Sequence, residues 1–336
     1  MGQIRSLLDR FFAPQPMVGM VAARIGVGLI LFFCYATKFR VVQSLYGPDG
    51  VGGAALYERA PGFPLVRPLE SGFQLLLHVD SPLVIHALWA VLALSSLAFA
   101  VGWATRWTGA LALVLHVLFH ARNPYAYTGW AVMVIPWLLY LVLSRVGDFA
   151  SVDAWIRRRR GSPGPGPARS WLGAAWPVRL IQVHVCLLYA MAGGARLVDP
   201  DWQQGRMVFH ILNDRWYARL HYDFFPWIDV LEPLSLGVFV LEPLAPILLW
   251  TPIGPWWALL LVGMHAGMEA LTNAGWWQPL MMVMLAVFLR PSWVAPLFGD
   301  FGRRGGRRRA AAAQGAPGGA GRAPSASHQA RQATAS

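Results

Sequence analysis

The feature that most constrains this chain is a series of apolar runs, each close to the length that crosses a bilayer and almost free of charge. About 20 apolar residues of helix span the hydrocarbon core of a membrane, and in that medium only a helix or a closed barrel satisfies every backbone polar group. Such runs lie at residues 17–37, 83–103, 107–120, 129–144, 178–193, 234–251, 255–271 and 276–289. They predict an all-α integral membrane protein, a bundle of about eight transmembrane helices. The count rests most lightly on residues 107–144, where two runs are short and His116 and His120 close the first of them. Run 17–37 is followed by Lys38 and Arg40 rather than by a small-residue cleavage site, which makes it a retained span. With 56% hydrophobic and 13% charged residues, against about 25% charged in a soluble domain, a soluble globular fold is excluded.

The basic excess is local. Of the net charge of +12, nearly all is held by Arg157, Arg158, Arg159 and Arg160 together with the stretch from Arg290 onward, where eight Arg face Asp300. Basic blocks between neutral apolar runs mark a membrane protein with cytoplasmic segments, not a nucleic-acid reader. Membrane lipids are therefore expected partners, and nucleic acid is not. The Pro/Gly/Arg linker near 145–176 is expected in the cytoplasm, and eight spans bring both termini to the same side of an inner membrane. Residues 1–300 read as one transmembrane domain and 301–336 as a disordered basic tail of Gly, Ala, Arg, Ser, Pro and Gln. Segments 38–82 and 194–233 lack the positive bias and are rich in aromatics, so they are expected to form non-cytoplasmic interfacial caps. Cys34 and Cys186 each lie inside an apolar run, which argues against a disulfide framework or a cysteine zinc site. A single lysine, Lys38, beside 27 arginines points to a GC-rich bacterial genome.

Ionisable groups inside spans are costly and are functional candidates by default. Here they are Arg24, His86, His116, His120, His184, Glu242, His265 and Glu269. His265 and Glu269 are four apart and share a helix face; they form either a relay or ligand-binding pair, or a polar seam between helices. His116 and His120 have the same spacing, but a metal site needs at least three protein ligands and no third stands nearby, so no metal is expected. Arg122, Asn123 and Pro124 close a helix and leave two polar side chains at its outer mouth. Glu242 precedes Pro243 and Pro246, and the helix is expected to open there onto protein or a cavity.

Four ordered pieces carry a resemblance: Tyr46-Gly-Pro-Asp-Gly50, His120-Ala-Arg-Asn-Pro124, the stretch Tyr189-Ala-Met-Ala-Gly-Gly-Ala-Arg-Leu-Val-Asp-Pro-Asp-Trp-Gln-Gln-Gly205, and Glu242-Pro-Leu-Ala-Pro246 with the later His265. Over roughly residues 17–290 the chain resembles the horizontally transferred transmembrane (HTTM) family, which includes the vitamin K-dependent gamma-glutamyl carboxylases. The resemblance implies a site at the non-cytoplasmic end, where in the carboxylases a lysine of this motif deprotonates vitamin K hydroquinone. The matching position is Arg196, with Ala195 beside it, and Asn123 stands where a catalytic histidine is found. An arginine stays protonated at any usable pH and cannot act as the general base. Authentic glutamyl carboxylation is therefore not expected. What remains implied is an outward-facing cavity for a lipid or quinone, with a reduced quinone as the candidate cofactor and redox or peptide-modifying chemistry. The alternative is a non-catalytic accessory factor for maturation or export of a secreted peptide. The expected catalytic residues are Arg196, His265 and Asn123, and the expected ligand-binding residues are His120, Arg122, Glu242, Glu269, Asp201 and Trp202. Arg196, near Asp199 and Asp201, reads either as a holder of an anionic head group or as an interfacial anchor.

Overall fold

The computed structural model describes residues 2–51, 76, 79–123, 126, 129–162 and 171–298. The basic tail, the Pro/Gly centre of the linker and most of the first aromatic cap lie outside the described residues. After α1 (Gly2–Phe12) come α2 (Val18–Thr37), the short α3 (Val42–Tyr46), α4 (Pro82–Val101), α5 (Thr105–Arg122) and α6 (Gly129–Leu143). Then follow α7 (Val152–Arg159), α8 (Ala175–Leu197), α9 (Pro200–Gln203), α10 (Met207–Asn213), α11 (Ile228–Leu248), α12 (Gly254–Leu271), α13 (Trp277–Leu285) and α14 (Pro291–Val294). The strands β1 (Gln15–Pro16) and β2 (Leu172–Gly173) pair antiparallel and tie the entry of α2 to the entry of α8. Each apolar run thus coincides with a helix. By length and composition four stretches can cross a membrane, α2, α4, α8 and Phe225–Leu248, while α6 and Trp277–Phe288 are shorter apolar helices.

Burial separates the centre of the bundle from its rim. The apolar window of α2 is 67% buried inside the protein, that of Phe225–Leu248 only 28%. Helix α2 is therefore the axis, packed on α4, α6 and α13, while α11 leans on α8 and leaves apolar surface facing outward. Large apolar side chains such as Leu94, Trp107, Met191 and Ile247 are exposed on the outer surface. Exposed apolar side chains on helices of spanning length mark a surface suited to lipid.

Polar residues close the helix ends where β1, β2 and the linker gather. Helix α4 stops at Gly102, whose φ of 74° lies in the left-handed region open to glycine. Helix α5 starts against Asp153, whose carboxylate accepts from the Ala104 and Thr105 amides at 2.8 Å each and from the Thr105 hydroxyl at 2.7 Å. Helix α7 is capped by Ser151, which accepts from the Ala154 amide at 2.9 Å. Arg24, fully buried in α2, donates to the carbonyls of Val146, Phe149 and Ala150 at 3.0, 3.1 and 2.7 Å. A charge inside a span is here a clamp on the loop after α6.

One expectation fails. Helix α11 continues through Pro233, Pro243 and Pro246 instead of opening at Glu242. Prolines remove backbone donors without forcing a break when neighbouring helices hold the chain, and the Trp257 indole donates to the Leu241 carbonyl at 3.3 Å beside them.

Candidate functional site

The candidate site is built by a close crossing of α8 and α11. A Cβ on Gly193 would stand 2.6 Å from the Pro243 Cα, so only a glycine lets the two backbones approach so nearly. Gly193→Val is expected to force the helices apart and cost about 1–3 kcal/mol, read as a lowered melting temperature of the detergent-purified protein; an unchanged melt would show that the crossing is not set here. One turn beyond Gly193, Arg196 forms an ion pair with Glu242, their side chains 17% and 4% exposed. The Arg196 guanidinium also lies over the Trp202 ring, 4.6 Å from its centroid, a cation–π contact. Trp202 is carried by α9, whose N-cap Asp199 accepts from the Asp201 amide at 2.9 Å. Asp201 itself opposes His210 at 3.8 Å. The counter-charge of Arg196 is therefore Glu242 on another helix, not the acids that follow it in sequence. Its Nε is buried with no hydrogen-bond acceptor among the described residues.

A second polar row adjoins this pair. Tyr189 precedes Arg196 by two turns on the same face of α8. Its hydroxyl meets His265 Nε2 at 2.8 Å, and His265 Nδ1 is hydrogen-bonded to Gln278 Oε1. An amide oxygen only accepts, so Nδ1 carries the imidazole proton and Nε2 accepts from the Tyr189 hydroxyl. Tyr189 also lies within electrostatic reach of Glu242 and Arg196. Four helices, α8, α11, α12 and α13, thus contribute to one buried polar network, and such networks fix a unique packing only when fully satisfied. Chemically, it offers a phenol hydrogen-bonded to a neutral imidazole, beside the Arg196–Glu242 ion pair.

An apolar groove of about 390 Å³ lies between α10, α11 and α12, with Leu212, Leu234, Leu241, Met264 and Met268 among its walls. Gly237, Gly263 and Gly267 line it too, and a Cβ at any of the three would meet nothing within 4 Å, so missing side chains leave the hollow open. Met268 belongs to both sites, since its Sδ is 3.9 Å from Gln278 Nε2.

The other candidates are placed differently. His265 and Glu269 do not bond to each other: Glu269 accepts from Arg219 at 2.7 Å, and Arg219 also donates to the Thr272 carbonyl at 3.1 Å. Together they pin the aromatic segment after α10 onto the end of α12. Arg122 donates through Nε to the Tyr46 carbonyl at 2.6 Å and through Nη1 to the Leu76 carbonyl. Asn123 donates to the Leu45 carbonyl at 2.7 Å and accepts from the Ala126 amide at 3.1 Å. Both side chains hold the backbone at the end of α3. His120 is buried in the last turn of α5, and His116 is bonded to Tyr35 and, at 2.8 Å, to the Ala131 carbonyl. His86 meets the Gln43 amide at 2.8 Å, and His184 packs its ring edge-on to Trp137. Among the described residues no group of three or more His, Cys, Asp or Glu is arranged to hold a metal. Reasoning from charge alone passed over Gln278 and the role of Tyr189. Their signals were an amide inside an apolar run, and a phenol seven residues before Arg196 on one face.

An exterior of apolar helices around a buried polar network defines a multi-pass membrane protein. The HTTM domain model matches residues 67–293, more than half of the chain, and the chain belongs to the HTTM family. No curated protein matches it, and neither does any solved structure.

Proposed function

We propose that this HTTM protein crosses the bacterial inner membrane eight times with both termini in the cytoplasm, and that it holds the polar head of a lipid- or quinone-like amphiphile at the Arg196 end of α8. The observation that carries the reading is the junction of a buried Arg196–Glu242 and Tyr189–His265–Gln278 network with an open apolar groove. Head group and chain of an amphiphile need such a pair of surfaces, a few placed polar groups beside an apolar cleft. The residues fit a quinol: Arg196, with an Nε lacking an acceptor, supplies a donor to a carbonyl or phenolate oxygen, and Tyr189 with His265 supplies a hydroxyl–imidazole pair that can hydrogen-bond a second oxygen. A reduced quinone would bring redox chemistry, and a secreted peptide is the substrate it would modify. Glutamyl carboxylation is not proposed, because Arg196 cannot remove a proton. Asn123, His120 and Arg122 shape the outer mouth in this reading, and Asp201 and Glu269 hold the cap.

The test is native mass spectrometry, with lipid and quinone extraction, of the purified protein against Arg196→Ala. A quinone-like molecule retained by the wild type and lost from the variant supports the reading. The absence of any specific small molecule in the wild type favours the accessory role in peptide maturation or export, in which Arg196 serves only to join α8 to α11.

A further inference from the structure

A second recess lies at the opposite end of α8, away from the network just described. It has a volume of about 520 Å³ and is walled by the turn after α6, the start of α7 and strand β2. Stacking of Phe149 on Trp171, 5.2 Å between ring centroids, joins its two sides. Arg145 and Arg157 both line it and share one acid: Asp148 accepts from Arg145 Nε at 2.8 Å and is 3.1 Å from Arg157 Nη2. Two guanidinium groups on one carboxylate leave a net positive charge, and the Arg145 side chain is 73% exposed. Arg158, Arg159 and Arg160 follow on the same helix end, Arg159 lying 4.3 Å over the Trp155 ring.

The depth of the recess is marked by tryptophans. Trp103 and Trp107 at the α4–α5 turn, Trp176 at the start of α8, and Trp250 and Trp256 at the α11–α12 turn are all exposed at this end of the bundle. Tryptophan collects at the membrane–water interface, the level of the head groups. The wall of the recess carries Leu172, which is 58% exposed, and Phe149. A site for a freely dissolved anion needs no apolar rim. We propose that this recess binds the head group of an anionic phospholipid, its phosphate between Arg145 and Arg157 and its glycerol and first acyl carbons along Leu172. Salt-bridge bookkeeping favours the same occupant, since a phosphate completes the neutralisation that Asp148 alone leaves unfinished.

The full-length protein, tail included, is titrated in detergent with phosphatidylglycerol or with phosphatidylcholine of identical chains, and bound lipid is counted by native mass spectrometry. Wild type should prefer phosphatidylglycerol. Arg145→Gln combined with Arg157→Gln should lower that affinity by roughly 25-fold, each basic side chain near an anionic surface being worth about fivefold, while phosphatidylcholine binding stays as it was. The Arg145→Lys and Arg157→Lys pair should keep most of the preference, which separates lost charge from a disturbed fold. Glycerol 3-phosphate should not shift the melting temperature at concentrations where the lipid does. Equal binding of the two lipids by wild type, an undiminished preference in the glutamine pair, or a melting shift with glycerol 3-phosphate matching that of the lipid would each overturn the proposal.

Discussion

Glu242→Leu is expected to destabilise the protein by about 3–5 kcal/mol, the cost of leaving one member of a buried ion pair without its partner. Arg196 cannot shed its proton to escape, and its side chain is only 17% exposed. Trp202 offers the guanidinium a ring face, worth about 2 kcal/mol in a desolvated site, less than the about 3–5 kcal/mol lost with the carboxylate. The double variant Arg196→Met with Glu242→Leu removes both charges and should recover most of the loss, because apolar groups of similar volume pack without a desolvation penalty. Melting of the purified single and double variants reads this directly. A double variant as unstable as Glu242→Leu would mean that the pair is not what joins α8 to α11 here.

Arg24→Met should be the second severe change. The substitution keeps the length of the side chain but strips three carbonyls, those of Val146, Phe149 and Ala150, of their donor. Hydrogen bonds to a charged group are worth about 1.5–3 kcal/mol each and are not additive, so a loss of at least about 3 kcal/mol is expected. Ala150 sits at a φ of 37°, in a region that side chains disfavour, and Arg24 holds it there. The loop should therefore loosen before the bundle does. Trypsin should cut the variant faster than wild type at Arg157, Arg158, Arg159 and Arg160, and equal cutting rates would show that the clamp does not order this segment.

What could be read from the sequence follows the range of the interactions involved. The apolar helices were legible because span length and apolar character are properties of contiguous residues, and the helices lie where the runs do. The continuity of α11 through Glu242 was not, because the effect of Pro243 and Pro246 depends on what packs beside them. The same limit governs the site. Arg196 was read against Asp199 and Asp201, its neighbours in the chain, while its partner Glu242 arrives across the contact at Gly193. His265 and Glu269 do share a face, yet each finds its partner elsewhere, His265 on α8 and α13 and Glu269 on Arg219. Arg145 and Arg157 were visible only as part of a positive-inside signal; the recess between them depends on β2 returning from beyond the linker.

The claim that the polar network and the groove form one ligand site is tested most directly by filling the groove. Gly263→Leu and Gly267→Leu place side chains where a Cβ meets nothing within 4 Å, and glycine to leucine favours the helix, so the fold should be kept. Neither change touches Arg196, Glu242, Tyr189, His265 or Gln278. Native mass spectrometry of the double glycine variant should show the amphiphile bound by wild type reduced by tenfold or more, with an unchanged or raised melting temperature. Retention of the same molecule at the wild-type level, in a groove closed by two leucines, would contradict the account.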